Sequence, residues 1–141
     1  MSLSLEQAKK IVARATVKAK ELGVKNSYAI LDEWGHLMLL ERMDGAAWIT
    51  SEIAVGKAYT AVAFRLIGER FTDTEEIGRY FSNTPSFLTG LAVSTHGKII
   101  GRGGGIPILI DGKVVGGLGI SGGKAEQDHA CAKAGLDFSQ D

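Results

Sequence analysis

Three groups of residues carry the chain's chemical possibilities. The first is a cation in a small-residue, apolar stretch: Lys57 stands in Ala54-Val55-Gly56-Lys57-Ala58. Either its stem lies along the surface with the ammonium in water, or it points into a pocket, where it is a candidate for acid–base work. The second is Arg42 with Asp44. They read as a surface pair of little energetic weight, or as a guanidinium that the carboxylate holds ready for a ligand's carboxylate. The third lies near the carboxyl end, where Gly117-Leu118-Gly119-Ile120-Ser121-Gly122 is followed by Asp128-His129.

Those six residues match the G-x-G-x-x-G pattern of dinucleotide sites. A Rossmann unit needs another parallel strand and an acidic residue about 20 positions on. The 19 residues after Gly122 leave no strand to place, so neither a nicotinamide nor a flavin cofactor is expected. What remains is local physics. A strand running into a glycine turn and then a helix presents free backbone N–H groups to an anion, aided by the helix dipole. Ser121 either caps that helix or donates to an anionic ligand, and Asp128 with His129 is an acid–base candidate. His36, His96 and His129 lack zinc-ligand spacing, and His129-Ala130-Cys131 is too little for a zinc site. Asp73-Thr74-Glu75-Glu76 reads as a capping box rather than a cation site. There is no nucleophile elbow and no P-loop.

The elements that must position these groups are well punctuated. Leu5, Ala8, Val12, Ala15, Ala19 and Leu22 form one stripe of a first helix. Ser4 and Gln7 fit a capping box, with Leu3 stapling onto Ala8, and Gly23 suits the left-handed position beyond the end. Tyr28–Leu31 and Leu37–Leu40 flank Gly35 as a hairpin. Both runs are apolar on successive residues, so this part of the sheet is expected to be covered on both faces. A long helix runs from about Ala46 to Leu66, with Asp44 or Thr50 as its cap. A short helix follows from Thr72 to about Phe81, and Ser82–Ser86 is a loop. Leu91-Ala92-Val93 is a candidate strand. Ile106–Ile110 and Lys113–Gly116 pair across Asp111-Gly112, with Pro107 at a strand start or edge. A last helix spans about Lys124 to Ala134. The sum is an α+β domain on an antiparallel sheet of about five strands, with no composition break inside residues 1–141.

Composition bounds the function. The 141 residues carry 16 basic and 16 acidic side chains for zero net charge, with 45% hydrophobic and 23% charged residues. That is ordinary for a globular protein, and it argues against a nucleic-acid partner, which calls for a basic surplus. One cysteine, Cys131, excludes an internal disulfide framework. No run approaches the ~20 apolar residues of a membrane span. The opening residues lack a leader's basic and apolar regions, so the cytoplasm is the expected compartment. Glycine is the outlier at 19 residues, 11 of them between Gly97 and Gly123. Interleaved isoleucine, leucine and valine make that stretch strands and tight turns with backbone open to close approach.

The run Gly103-Gly104-Gly105-Ile106-Pro107-Ile108, then Val114 to Gly123, then Glu126-Gln127-Asp128, resembles the GlcG/HbpS family of haem-binding proteins. That family includes the C-terminal domain of PduO-type corrinoid adenosyltransferases. Asp32–Leu37, Arg42–Ala46 and Lys57-Ala58 are similar to its other stretches. The resemblance implies a profilin-like α/β/α arrangement around five antiparallel strands, a homo-oligomer, and a small-molecule ligand with haem or a related tetrapyrrole foremost. An enzyme acting on a small organic acid or diol-derived aldehyde is the alternative. Carried over by position, the pocket uses Arg42, Asp44, Lys57, Gly104, Gly105, Pro107, Ser121 and Gly122, with Asp128 beside them. The histidine that the PduO-type branch carries on its first helix has no counterpart here, which leaves His36, His96 or Met43 as possible iron ligands.

Overall fold

The computed structural model describes residues 2–65 and 72–140. Helix α1 spans Leu5–Leu22 and is closed as its sequence dictates. Ser4 accepts from the Gln7 N–H, the Gln7 side chain accepts from the Ser4 N–H, and Gly23 adopts φ +70°. Its buried stripe is Ala8, Ile11, Val12, Ala15 and Ala19; Leu5 and Leu22 remain exposed.

Strands β1 (Ser27–Asp32) and β2 (Leu37–Arg42) form the first hairpin, turned by Gly35 at φ +84°. Strands β3 (Gly105–Ile110) and β4 (Lys113–Ser121) form the second. Asp111 and Gly112 both take positive φ, the type I′ geometry of a two-residue hairpin. The sheet is antiparallel in the order β2-β1-β4-β3. Pro107, which has no N–H to give, lies on edge strand β3.

The strand period of two sorts the two faces. Tyr28 and Ile30 of β1 join Leu118 and Ile120 of β4 against α1 and helix α5 (Ala125–Gly135). Ala29 and Leu31 point the other way, onto Ala54 and Ala58 of helix α2 (Ile49–Ala63). Gly117 and Gly119 also face α2. A Cβ at Gly117 would lie 2.5 Å from Ala58 O, and one at Gly119 2.5 Å from Ala58 N while colliding with Ala54 O. The glycine run therefore serves close helix–sheet contact, with large side chains on one face and almost none on the other. The result is an α/β/α sandwich.

Three expectations change. The sheet has four strands, not five, because Leu91-Ala92-Val93 lies in helix α4 (Pro85–Ser94), which starts on a proline in its first turn. Helix α2 begins at Ile49, and neither Asp44 nor Thr50 caps it; the Thr50 hydroxyl donates to Ala47 O instead. The expected helix end at Leu66 lies outside the described residues. Strand β2 is an edge strand with Leu37 and Leu40 exposed, so within the first hairpin β1 alone is covered on both faces. Helix α3 (Thr74–Tyr80) is capped by Asp73, which accepts from the Glu76 N–H at 2.9 Å.

Candidate functional site

The apolar neighbours of Lys57 put its side chain inside the protein. Lys57 is 1% exposed, on the face of α2 that meets the sheet. Its Nζ donates to Ile120 O at 2.7 Å and to Asp128 Oδ2 at 3.1 Å. Asp128, on the first turn of α5, is equally buried, and its Oδ1 accepts from the Gly123 N–H at 2.9 Å. Burial pulls the Lys57 ammonium below the usual lysine range, with Asp128 opposing. Burial pushes the Asp128 carboxyl up, with Lys57 opposing. Each charge is tolerable only because the other is there. Glycine makes the room: a side chain at Gly104, which has φ +122°, would come within 2.9 Å of both Lys57 Nζ and Asp128 Cβ.

An open cleft of about 320 Å³ sits over this pair, lined by Thr50, Ile53, Lys57, Arg102, Ser121, Gly122, Gly123 and Asp128. The structure thus brings together Lys57, Ser121, Gly122 and Asp128 of the sequence-predicted set. Gly104 and Gly105 back the pair from behind; a Cβ on Gly105 would meet Lys57 O at 2.6 Å. Pro107, opposite Gly117 on β3, is not part of the cleft lining. Arg42 and Asp44 are exposed at the end of β2, line no part of the cleft, and form no ion pair with each other among the described residues. Arg42 nevertheless shares a cross-strand row with Ser27 and Ser121. Ser121 ends β4 and is not the cap of α5, which begins at Ala125 after Lys124. Residues Gly117 to Gly119 belong to a central strand paired on both sides, the Ile120 N–H donates to Gly104 O and the Gly123 N–H to Asp128, so the expected wall of free amides is not there.

Arg102 was missed by sequence reading, and Thr74 with it. The buried Thr74 hydroxyl donates to Arg102 O and accepts from the Gly105 N–H at 3.0 Å, which fixes the backbone that carries Arg102 to the cleft. Only the glycines beside Arg102 hinted at this close packing. Ser27 was also unremarked. Its hydroxyl meets Thr50 Oγ1 at 2.8 Å and Ser51 Oγ at 3.3 Å, tying the start of α2 to the sheet.

The match to known proteins covers nearly everything described so far. The model of the family described as "Haem degrading protein HbpS-like" matches residues 3–137. The chain belongs to the HbpS-like family. An uncharacterized 15.0 kDa protein from the dhaT-dhaS intergenic region of Citrobacter freundii is 35% identical, over 99% of this chain and 94% of that protein. The corrinoid adenosyltransferase PduO of Citrobacter freundii is also 35% identical, over 96% of this chain but only 38% of its own length. Among solved structures, the PduOC:haem complex superposes with a TM-score of 0.83 at 34% identity, covering 96% of this chain and 94% of that one.

The histidines of this HbpS-like chain stand apart from the Lys57 cleft. His36 is exposed in the first hairpin, 3.5 Å from Asp32. Met43 Sδ is engaged by the Asn26 N–H and the Tyr28 hydroxyl. His129 follows Asp128 but does not line the cleft, and its buried Nδ1 has no partner among the described residues. His96, at φ +58°, lies in a second cleft of about 440 Å³ with Leu40, Ser51, Glu52, Val55, Gly97 and Lys98. The two clefts flank the first turns of α2.

Proposed function

We propose that this protein binds a small molecule, with haem or a related tetrapyrrole as the foremost ligand, and that it works as a cytoplasmic homo-oligomer. The observation that carries the reading is the likeness to the PduOC:haem complex over 96% of the chain. The cleft at His96 offers groups that such a ligand would use. Leu40 and Val55 give apolar walls, Lys98 supplies a cation for a carboxylate arm, and the His96 ring has no partner among the described residues. His96 would then hold the iron, and Lys98 would meet a carboxylate arm of the macrocycle. When bound, haem supplies an iron centre whose reactivity is set by that ligand and by the polarity around it. The exposed apolar side chains Trp34 in the turn of the first hairpin, Leu37 and Leu40 on β2, and Trp48 and Ile49 at the start of α2 support self-association. No described helix is long and apolar enough to cross a membrane. Titration with haemin tests the reading: a saturable Soret band at one ligand per chain is expected, weakened at least tenfold by His96→Ala. The absence of a saturable band overturns it. Native mass spectrometry reads the assembly state, and a monomer throughout overturns the oligomer.

A second reading is an enzyme acting on a small organic acid or diol-derived aldehyde. It is favoured by the buried Lys57–Asp128 pair, since a coupled acid and base with opposed shifts under a cleft suits proton transfer. Turnover of such a compound, lost in Asp128→Asn with the fold intact, is its test.

A further inference from the structure

We infer that the cleft over the Lys57–Asp128 pair is a binding site for a small carboxylate monoanion, with Lys57 at its floor and Arg102 at its rim as the two cations that hold it. This rests on the second reading above, in which that cleft is where the ligand sits.

Donor counting points to it. A lysine ammonium has three N–H donors. Lys57 uses two, on Ile120 O and Asp128 Oδ2, and the third has no partner among the described residues. Asp128 has both oxygens engaged, by Lys57 and by the Gly123 N–H, so it is aimed at the protein rather than at a ligand. Asp128 therefore sets the lysine's charge and direction. Arg102 is exposed on the rim, with no carboxylate within ion-pair distance among the described residues. Its five donors form a planar fork that suits a carboxylate, and the Thr74 hydroxyl anchors its backbone.

Charge and size narrow the ligand. Two cations and one carboxylate leave one positive charge in the cleft, which one negative charge neutralises. The Thr50 hydroxyl is occupied by Ala47 O and Ser27, whereas the Ser121 hydroxyl has no partner among the described residues and lines the same cleft. It supplies a polar contact to the ligand's second oxygen or an adjacent group. Ile53 offers a short apolar wall. A volume of about 320 Å³ lies at the small end of the roughly 300–1,000 Å³ range of ligand sites. It suits an acid of a few carbons rather than a macrocycle.

The probe is sodium acetate, read by calorimetric titration and by chemical-shift perturbation. Acetamide is the neutral control and sodium chloride the ionic one. Acetate is expected to bind saturably and to perturb residues 121–123 and 102, while acetamide does not. Arg102→Gln should weaken acetate at least tenfold and leave the ligand-free melting temperature unchanged. Ser121→Ala should weaken it severalfold. Equal responses to acetate and chloride, or an unchanged acetate affinity in Arg102→Gln, overturn the site. So does succinate binding tenfold tighter than acetate, which contradicts a single unmatched charge. The outcomes separate this site from the enzyme reading. Acetate binding that Arg102→Gln abolishes, with no acid or aldehyde turned over, supports the site and removes the enzyme. Turnover of a carboxylate with KM unmoved by Arg102→Gln does the reverse.

Discussion

Lys57 and Asp128 each hold a charge that water would hold far better, and the protein keeps them because they face one another at 3.1 Å. Removing one partner leaves the other buried and unmatched, so Lys57→Met should cost about 3–5 kcal/mol in urea unfolding, and Lys57→Met with Asp128→Leu should restore most of it. The pH dependence has a sign. Asp128 is already raised by burial, and loss of the lysine removes the effect that opposes the rise. A carboxyl raised in the folded state contributes stability that is intact below its ordinary value and fades as pH climbs through the folded value. The deficit of Lys57→Met relative to the unsubstituted protein should therefore shrink as pH is lowered toward about 4. A deficit that grows on acidification would rule out an orphaned Asp128. Cys131 belongs to the same scale. It is fully buried and burial pushes its thiol up, the opposite of a reactive cysteine. Alkylation by iodoacetamide at neutral pH should follow unfolding; fast labelling of the folded protein would contradict the burial.

Glycine decides how α2 meets β4. Gly119→Ala places a methyl group 2.5 Å from Ala58 N and against Ala54 O, so the helix has to move off the sheet and carry Lys57 with it. A cost of at least 1–3 kcal/mol is expected from overpacking of this kind. Gly90→Ala is the matched control. Gly90 lies in α4 with nothing within 4 Å of the added carbon, so helix propensity alone should leave the protein unchanged or up to about 1 kcal/mol more stable. If both variants melt alike, close packing is not what Gly119 provides. These elements also show what a sequence can tell. Capping residues and hairpin glycines act locally, so Ser4, Gln7, Gly23, Gly35, Asp111 and Gly112 announced their elements correctly. The glycines of β4 did not, because a strand packed against helix backbone and a phosphate loop need glycine for the same reason, close approach. Leu91-Ala92-Val93 carries three apolar residues in a row, a run that does not separate strand from helix. In the site, Lys57 was visible as a misplaced cation, whereas Arg102 became visible only when the chain closed on itself.

Across the whole molecule, stability is unevenly spread. One face of the sheet buries Ile11, Tyr28, Ile30, Leu118 and Ile120 in a single cluster, and the other is closed by backbone-to-helix contact. Helix α4 belongs to neither layer. It has no buried residue, Phe87 and Val93 are exposed, and it reaches the body through a small satellite cluster in which Leu88 and Leu91 pack on Ile77 and Phe81. Regions with few buried apolar contacts open at lower free energy than the core. Hydrogen exchange on a dilute sample should therefore find the amides of residues 85–94 exchanging well before those of β1 and β4, whose exchange should track global unfolding. Ile77→Ala should widen the gap, because it weakens the satellite cluster while leaving both faces of the sheet intact. The assembly state enters through concentration. Protection of α4 that rises with protein concentration means that a second copy covers its apolar face; protection equal to that of β4 at every dilution means that α4 is part of the core after all, contrary to the layering described above.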